Sequence, residues 1–132
     1  MSPTIGEALP PLVRSIGRPA MIAYAGATWD WHRLHYDPTY QAERDVPAPV
    51  VDGQVFGALL VETMQDALGP SWRMAALDFR LSAPVFAGAT VRCTGTITGV
   101  STDRITCRLD VETIDPAASV VAGARAELVR RR

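Results

Sequence analysis

The sequence predicts an α+β domain in which an antiparallel β-sheet wraps around a central α-helix. Two observations carry this expectation. The stretch from Gly53 to Leu68 reads as one helix, apolar nearly all round in its first half, and such a helix belongs inside something. After it come four runs in which apolar and polar residues alternate with period two, the pattern of antiparallel strands packed on one face and solvated on the other. A chain of 132 residues, read as a single domain over 1–132, can bury about two-thirds of the surface it exposes unfolded.

Taken in order, the segment before Arg18 is irregular apart from a short extended piece around Leu12 to Ile16. Arg18 to Thr28 reads as a short helix with Met21, Ile22 and Ala25 on one face. Trp29 to Asp37 comes next, dense in aromatic and titratable groups, and Pro38 starts a short helix over Thr39 to Arg44. The prolines in Val46-Pro47-Ala48-Pro49-Val50-Val51 exclude helix, so this stretch reads as extended. For the main helix, Asp52 is a good N-cap and Gly69-Pro70 a strong stop. Val55, Phe56, Leu59, Leu60, Met64, Ala67 and Leu68 form its stripe, while Glu62, Thr63, Gln65 and Asp66 cluster late.

The strands are expected over Ala75 to Phe86, Thr90 to Val100, Arg104 to Thr113 and Ala118 to Val129. Leu77, Phe79, Leu81 and Ala83 hold the inward phase of the first, and Val91, Cys93, Gly95 and Ile97 that of the second. Ile105, Cys107, Leu109 and Val111 do so in the third, and Val120, Ala122, Ala124, Ala126 and Leu128 in the fourth. Gly99 to Asp103 and Ile114 to Ala118 are hairpin-sized connections. One apolar helix followed by a four-strand meander is the arrangement of the hot-dog fold, with the sheet as the bun.

Composition removes several function classes. A net charge of −1 argues against a nucleic-acid footprint, and Arg130 to Arg132 read as a solvated tail. All thirteen basic residues are arginine, which excludes lysine Schiff-base chemistry and a Walker-type phosphate lysine. Cys93 and Cys107 fall on the apolar phase of neighbouring strands and read as small buried hydrophobes, not a disulfide. Pro3, Glu7, Pro10 and Pro11 interrupt any signal-peptide-like opening, and no apolar run approaches the ~20 residues of a membrane span, so a cytoplasmic location is expected.

Both histidines fall in one window, Asp30-Trp31-His32-Arg33-Leu34-His35-Tyr36-Asp37. A carboxylate and an imidazole brought together can share acid–base work, because their pKa values bracket neutral pH and shift with burial. Ordinary surface or packing roles explain the same residues from composition alone. Metal binding is not expected, because two histidines three apart have no second ligand cluster to complete a site.

This window and the chain downstream of it resemble the MaoC-like hydratase/dehydratase family of (R)-specific enoyl-CoA hydratases, whose motif reads roughly G-D-x-N-P-x-H-x-D. Asp30 matches the motif aspartate, His35 the histidine five residues on, and Asp37 the closing aspartate. Val50-Val51-Asp52-Gly53 sits where the family has its A-H-G turn into the helix. Phe79-Arg80 to Pro84-Val85, with Gly88, is similar to the family's F-R-x-P-V-x-x-G strand. The resemblance runs from about Tyr24 into the C-terminal strands. Three departures stand out: Trp29 for the glycine, His32-Arg33 for Asn-Pro, and Asp52 for the histidine before the helix glycine. A subgroup that includes steroid side-chain enoyl-CoA hydratase subunits likewise keeps D-x-x-x-x-H without Asn-Pro.

The resemblance implies a hot-dog fold and reversible addition of water to a trans-2-enoyl-CoA, giving a 3-hydroxyacyl-CoA. It implies Asp30 and His35 as the catalytic pair and the Gly53 backbone N–H, at the helix N-terminus, as the donor to the thioester oxygen. Trp29, His32, Arg33 and Asp52 are then expected to line the substrate site. Arg33 is a candidate for the pyrophosphate of coenzyme A; Asp52 is either a plain N-cap or a third acid. Coenzyme A enters as part of the substrate and no separate cofactor is implied. The expected assembly is a homodimer or a heteromer with another hot-dog chain. Two rivals remain. A hot-dog thioesterase would use a carboxylate on the helix, such as Glu62 or Asp66. A non-catalytic subunit of a heteromeric hydratase would leave Asp30 and His35 without a reaction.

Overall fold

The computed structural model describes residues 2–132. Strand β1 (Leu12–Ser15) leads into helix α1 (Arg18–Thr28), a single 3-10 turn (Arg33–His35) and a short helix α2 (Pro38–Ala42). Helix α3 (Gln54–Leu68) is followed by β2 (Trp72–Asp78), β3 (Thr90–Val100), β4 (Arg104–Ile114) and β5 (Ala118–Arg130). The strands form one antiparallel sheet in the order β1-β3-β4-β5-β2. This is the hot-dog arrangement, with the sheet curled around α3.

The core lies between helix and sheet. Phe56, Leu60 and Met64 recur along one face of α3 and are buried with Val91, Ile97, Leu109 and Leu128 from the three long strands. The Gly69 stop holds as expected, with φ +82° and its N–H returned to the Gln65 carbonyl. Cys93 and Cys107 are free and buried, and burial pushes both thiols up to about 11, so neither is a ready nucleophile.

Three details differ from the alternation pattern. The strand expected from Ala75 to Phe86 begins earlier, at Trp72, and ends at Asp78; beyond it Leu81 makes an isolated bridge to Val121 and Phe86 one to Val50. The cause lies on the helix. A β-carbon at Gly57 would sit 2.9 Å from Phe79, and one at Gly53 would sit 2.5 Å from Leu81. The bare helix backbone draws these side chains off the ladder and onto itself. Second, the strands do not form a four-strand meander: β1 occupies the free edge of β3, so β2 closes the opposite edge beside β5. A four-residue strand has too little alternation to declare a ladder partner. Third, β5 changes phase, burying Val121 and exposing Ala122. An extra residue is accommodated where Leu109 faces Ala124 but Val111 faces Val121, and Gly123 takes φ +67° there, the mark of a β-bulge.

The close approach at Gly57 gives a stability prediction. Gly57→Leu forces the Phe79 ring out of its seat and is expected to lower the unfolding free energy by about 1–3 kcal/mol. The expected readout is a lower urea midpoint at unchanged slope. An unchanged midpoint would mean that Phe79 swings aside freely.

Candidate active site

Helix α1 delivers the first site residue. Trp29 follows its last turn in the left-handed conformation (φ 55°, ψ 35°), and the N–H groups of Trp29 and Asp30 both return to the Ala25 carbonyl. That tight closure turns the chain so that Asp30 stands at the helix end. Glycine is the residue that takes this conformation at no steric cost, so the indole is held there against its backbone preference. Trp29→Gly is therefore expected to be more stable than Trp29→Ala by about 1 kcal/mol, read from paired denaturant curves. Equal midpoints would mean that the left-handed turn is not retained in solution.

Hydrogen bonds set the next five residues. The Asp30 Oδ1 accepts from the His32 N–H at 3.3 Å, and the His32 Nδ1 accepts from the Leu34 N–H at 3.1 Å, opening the 3-10 turn. The turn carries His35, whose Nδ1 lies 2.6 Å from the Val50 carbonyl oxygen. A carbonyl only accepts, so Nδ1 carries a proton, and a ring with no proton on Nε2 presents that atom as a base. Buried Gln41 supports the turn from α2 by donating to the Leu34 carbonyl at 3.0 Å.

The third member comes from the start of α3. The helix starts one residue later than expected, with Gly53 and not Asp52 at the N-cap position, and Asp52 just before it accepts the Gln54 N–H on Oδ1 at 2.9 Å. Donor atoms of Asp30, His35 and Asp52 all lie within 4.8 Å of one another. They line a cavity of about 10 Å³ together with Met21, Tyr24, Ala25 and Val55, space for about one water.

The electrostatics divide the two carboxyls. The hydrogen bond from Asp52 holds Asp30 below the usual carboxylate range, helped by the His32 N–H. Burial pushes Asp52 above that range, and the neighbouring Asp30 adds to the effect. Like charges this close oppose each other's ionisation, so Asp30 is the first of the two to lose its proton as pH rises. Burial and the same two carboxylates raise the Tyr24 phenol, which stays neutral. The trio has donor types that a cation can use, and the same groups are of the kind that exchange protons.

His35 also lines a second, larger space. A groove of about 420 Å³, mostly apolar, is lined by His35 with Val50, Val51, Gly53, Phe56, Leu81 and Val85. Among the described residues no oxygen accepts from the Gly53 N–H, which is therefore available to a ligand.

The remaining expected site residues are placed differently. Trp29 is 80% exposed, edge-on to Trp31 at 5.9 Å, and does not line the small cavity. The His32 ring meets His35 edge to face at 5.8 Å, so it buttresses the base without lining the cavity. Arg33 is held by Asp37 at 2.8 Å and lies over the Tyr40 ring. Asp37 also caps α2 by accepting from Thr39 and Tyr40, which gives the closing aspartate of the motif a structural task. Sequence reasoning missed Tyr24, Gln41 and the Val50 carbonyl. Only Tyr24 had a signal, since it lies beside Met21 and Ala25 on the helix face read as inward.

A carboxyl–imidazole cluster at one small cavity, beside an apolar groove that the imidazole and Gly53 also line, stands on a hot-dog domain. The chain is a member of the MaoC-like hydratase/dehydratase family: the MaoC like domain matches residues 4–119. Among solved structures it is similar to the ChsH1-ChsH2 complex from Mycobacterium tuberculosis, at 25% identity and TM-score 0.86, covering 97% of this chain and 98% of that one. It also shares its fold with the (R)-hydratase from A. caviae involved in PHA biosynthesis, at 22% identity and TM-score 0.88 over 98% of each chain. A third is the HadBC (3R-hydroxyacyl-ACP dehydratase) complex from Mycobacterium tuberculosis, at 19% identity and TM-score 0.75, covering 94% of this chain and 96% of that one. No curated protein sequence matches the chain. Among the described residues no helix is long and apolar enough to cross a membrane.

Proposed function

We propose that this protein adds water reversibly to a trans-2-enoyl thioester of coenzyme A, giving the 3-hydroxyacyl thioester. One observation carries the reading: Asp30 and His35, whose Nε2 is left free by the Val50 contact, line a cavity with space for about one water, and His35 also lines the apolar groove. Water held there is polarised by two acceptors at once. The acyl chain lies along Phe56, Leu81 and Val85, with its thioester oxygen at the Gly53 N–H. Addition at C3 moves negative charge onto that oxygen, where the amide and the α3 dipole stabilise it. Trp29, His32, Arg33 and Asp52 remain the candidates for shaping substrate entry, with Arg33 reaching a phosphate only if it leaves Asp37.

The thioesterase alternative finds less support. Glu62 is engaged by Arg14 at 2.6 Å, and neither it nor Asp66 lines the same groove as His35. The heteromeric alternative draws on the ChsH1-ChsH2 and HadBC complexes, whose names pair two chains. We infer that a second hot-dog chain, identical or different, completes the particle, and that the protein acts in the cytoplasm.

The test is the ultraviolet absorbance of enoyl conjugation, monitored with short, long and steroid-type trans-2-enoyl-CoA. Loss of the band is the expected result. Release of free thiol instead would replace this reading with the thioesterase. Silence in both assays, persisting after partner chains are supplied, would remove the catalytic reading altogether.

A further inference from the structure

We propose that Asp52 carries the proton that ends on C2 of the substrate, and that Asp30 and Asp52 form a proton-conserving pair. This rests on the hydratase reading above and assigns a second catalytic acid to it. The geometry is the cluster itself: two carboxyls from different parts of the chain meet the His35 imidazole within 4.8 Å, around a cavity of one-water size. Asp52 is anchored by the Gln54 N–H on Oδ1, which leaves its second oxygen to carry a proton. A helix cap has no need of a second carboxyl at its side. A site that must deliver one proton while receiving another does.

The groups facing Asp52 fit this division. Tyr24 comes from α1, Asp30 from the turn after it, and His35 from the 3-10 turn, with His32 one contact further out. Among the described residues no arginine lines the cavity, so the charge of a second carboxylate is met only by the Gln54 N–H and the His35 ring. His35 cannot be the source of the C2 proton through Nδ1, because the Val50 carbonyl holds it.

The step balances. The water oxygen forms its bond to C3 while one of its O–H bonds breaks, and that proton goes to Asp30. Its other hydrogen stays on the new hydroxyl after being oriented by His35 Nε2. The π pair of C2=C3 moves into the C1–C2 enolate, whose oxygen rests on the Gly53 N–H. The Asp52 O–H bond then breaks and its proton forms the C2–H bond. The pair now holds its single proton on Asp30, and one transfer between the two neighbouring carboxyls, within 4.8 Å of each other, restores the starting state. Neither bulk solvent nor an external buffer enters the cycle.

The variants are Asp52→Asn and Asp52→Glu, each with the wild type beside it. Asparagine keeps the cap and the hydrogen bond to Asp30 but cannot release a proton. The expected result is a fall in kcat of about 10²-fold with KM little changed, and partial recovery in Asp52→Glu. Asp52→Asn at full kcat on an active wild-type background would overturn the proposal and leave the hydratase reading standing. A readout free of substrate accompanies it: carboxyl carbon NMR titration of aspartate-labelled wild-type protein. Two resonances are expected to titrate as a coupled pair, one below and one above the ordinary carboxylate value, collapsing to a single step in Asp52→Asn. If both carboxyls ionise together at the ordinary value, the proposal fails whatever the activity. An inactive wild type with the coupled pair intact would instead sink the hydratase reading while upholding the shared proton.

Discussion

Asp30→Asn is expected to lose about 10²–10⁴ of turnover while its unfolding midpoint stays close to that of the wild type. The amide has the same shape and still accepts the His32 N–H, so the turn after α1 persists. What it lacks is the negative charge that polarises water. The pH dependence arises from the same groups. Asp30 sits below the ordinary carboxylate range, so turnover falls only when pH drops through that lowered value. Asp52 sits above the range, and its ionisation sets a second limb at higher pH if it delivers the proton. Stability responds with opposite signs. The lowered pKa of Asp30 contributes stability above the unfolded value, and this is lost as pH falls through the folded one. The raised pKa of Asp52 disfavours the folded state above its folded value, a penalty that disappears as pH falls. Melting curves against pH should therefore be flatter in acid than for either carboxyl alone. Asp52→Asn should be no less stable than wild type at neutral pH. A cooperative loss of structure in Asp30→Asn would make the charge structural and sink its catalytic assignment.

Much of this site was legible because the chemistry is concentrated. Two histidines in a single window made Asp30, His32, His35 and Asp37 candidates, and the resemblance to the family motif singled out Asp30 and His35 among them. The helix from Asp52 to Gly69 was legible because cap, stripe and stop agree with one another. What the pattern concealed is what depends on distance along the chain. Asp52 is separated from Asp30 by α2 and a proline-rich stretch, and nothing local distinguishes a cap from a partner acid. The tautomer of His35 is set by a backbone carbonyl fifteen residues on, and a carbonyl leaves no mark in a sequence. Asp37 looked like a fourth titratable group of the site and is instead the cap of α2. Leu81 kept strand alternation on paper, yet Gly53 offers it a bare stretch of helix, and packing there wins over the ladder.

Phe56→Ala is expected to cost about 3–5 kcal/mol of stability, the largest effect of any prediction for the fold. Phe56 is 1% exposed, belongs to the central cluster of α3 and lines the same groove as His35. Its removal leaves a void that a tightly curled sheet fills poorly, and the loss is a large fraction of the roughly 5–15 kcal/mol typical of a domain. Leu60→Ala is the control, because Leu60 is equally buried on the same helix but does not line the groove. It should cost about 2–5 kcal/mol and leave the preference among enoyl-CoA chain lengths unchanged. Phe56→Ala, in whatever fraction remains folded, should shift that preference toward longer or bulkier chains, since the void opens onto the groove. The comparison separates core from site. A shared drop in urea midpoint with different substrate profiles assigns the groove to the acyl chain. Identical profiles would place the acyl chain elsewhere, even with both stability losses as expected, because the same helix would then be carrying the core without carrying specificity.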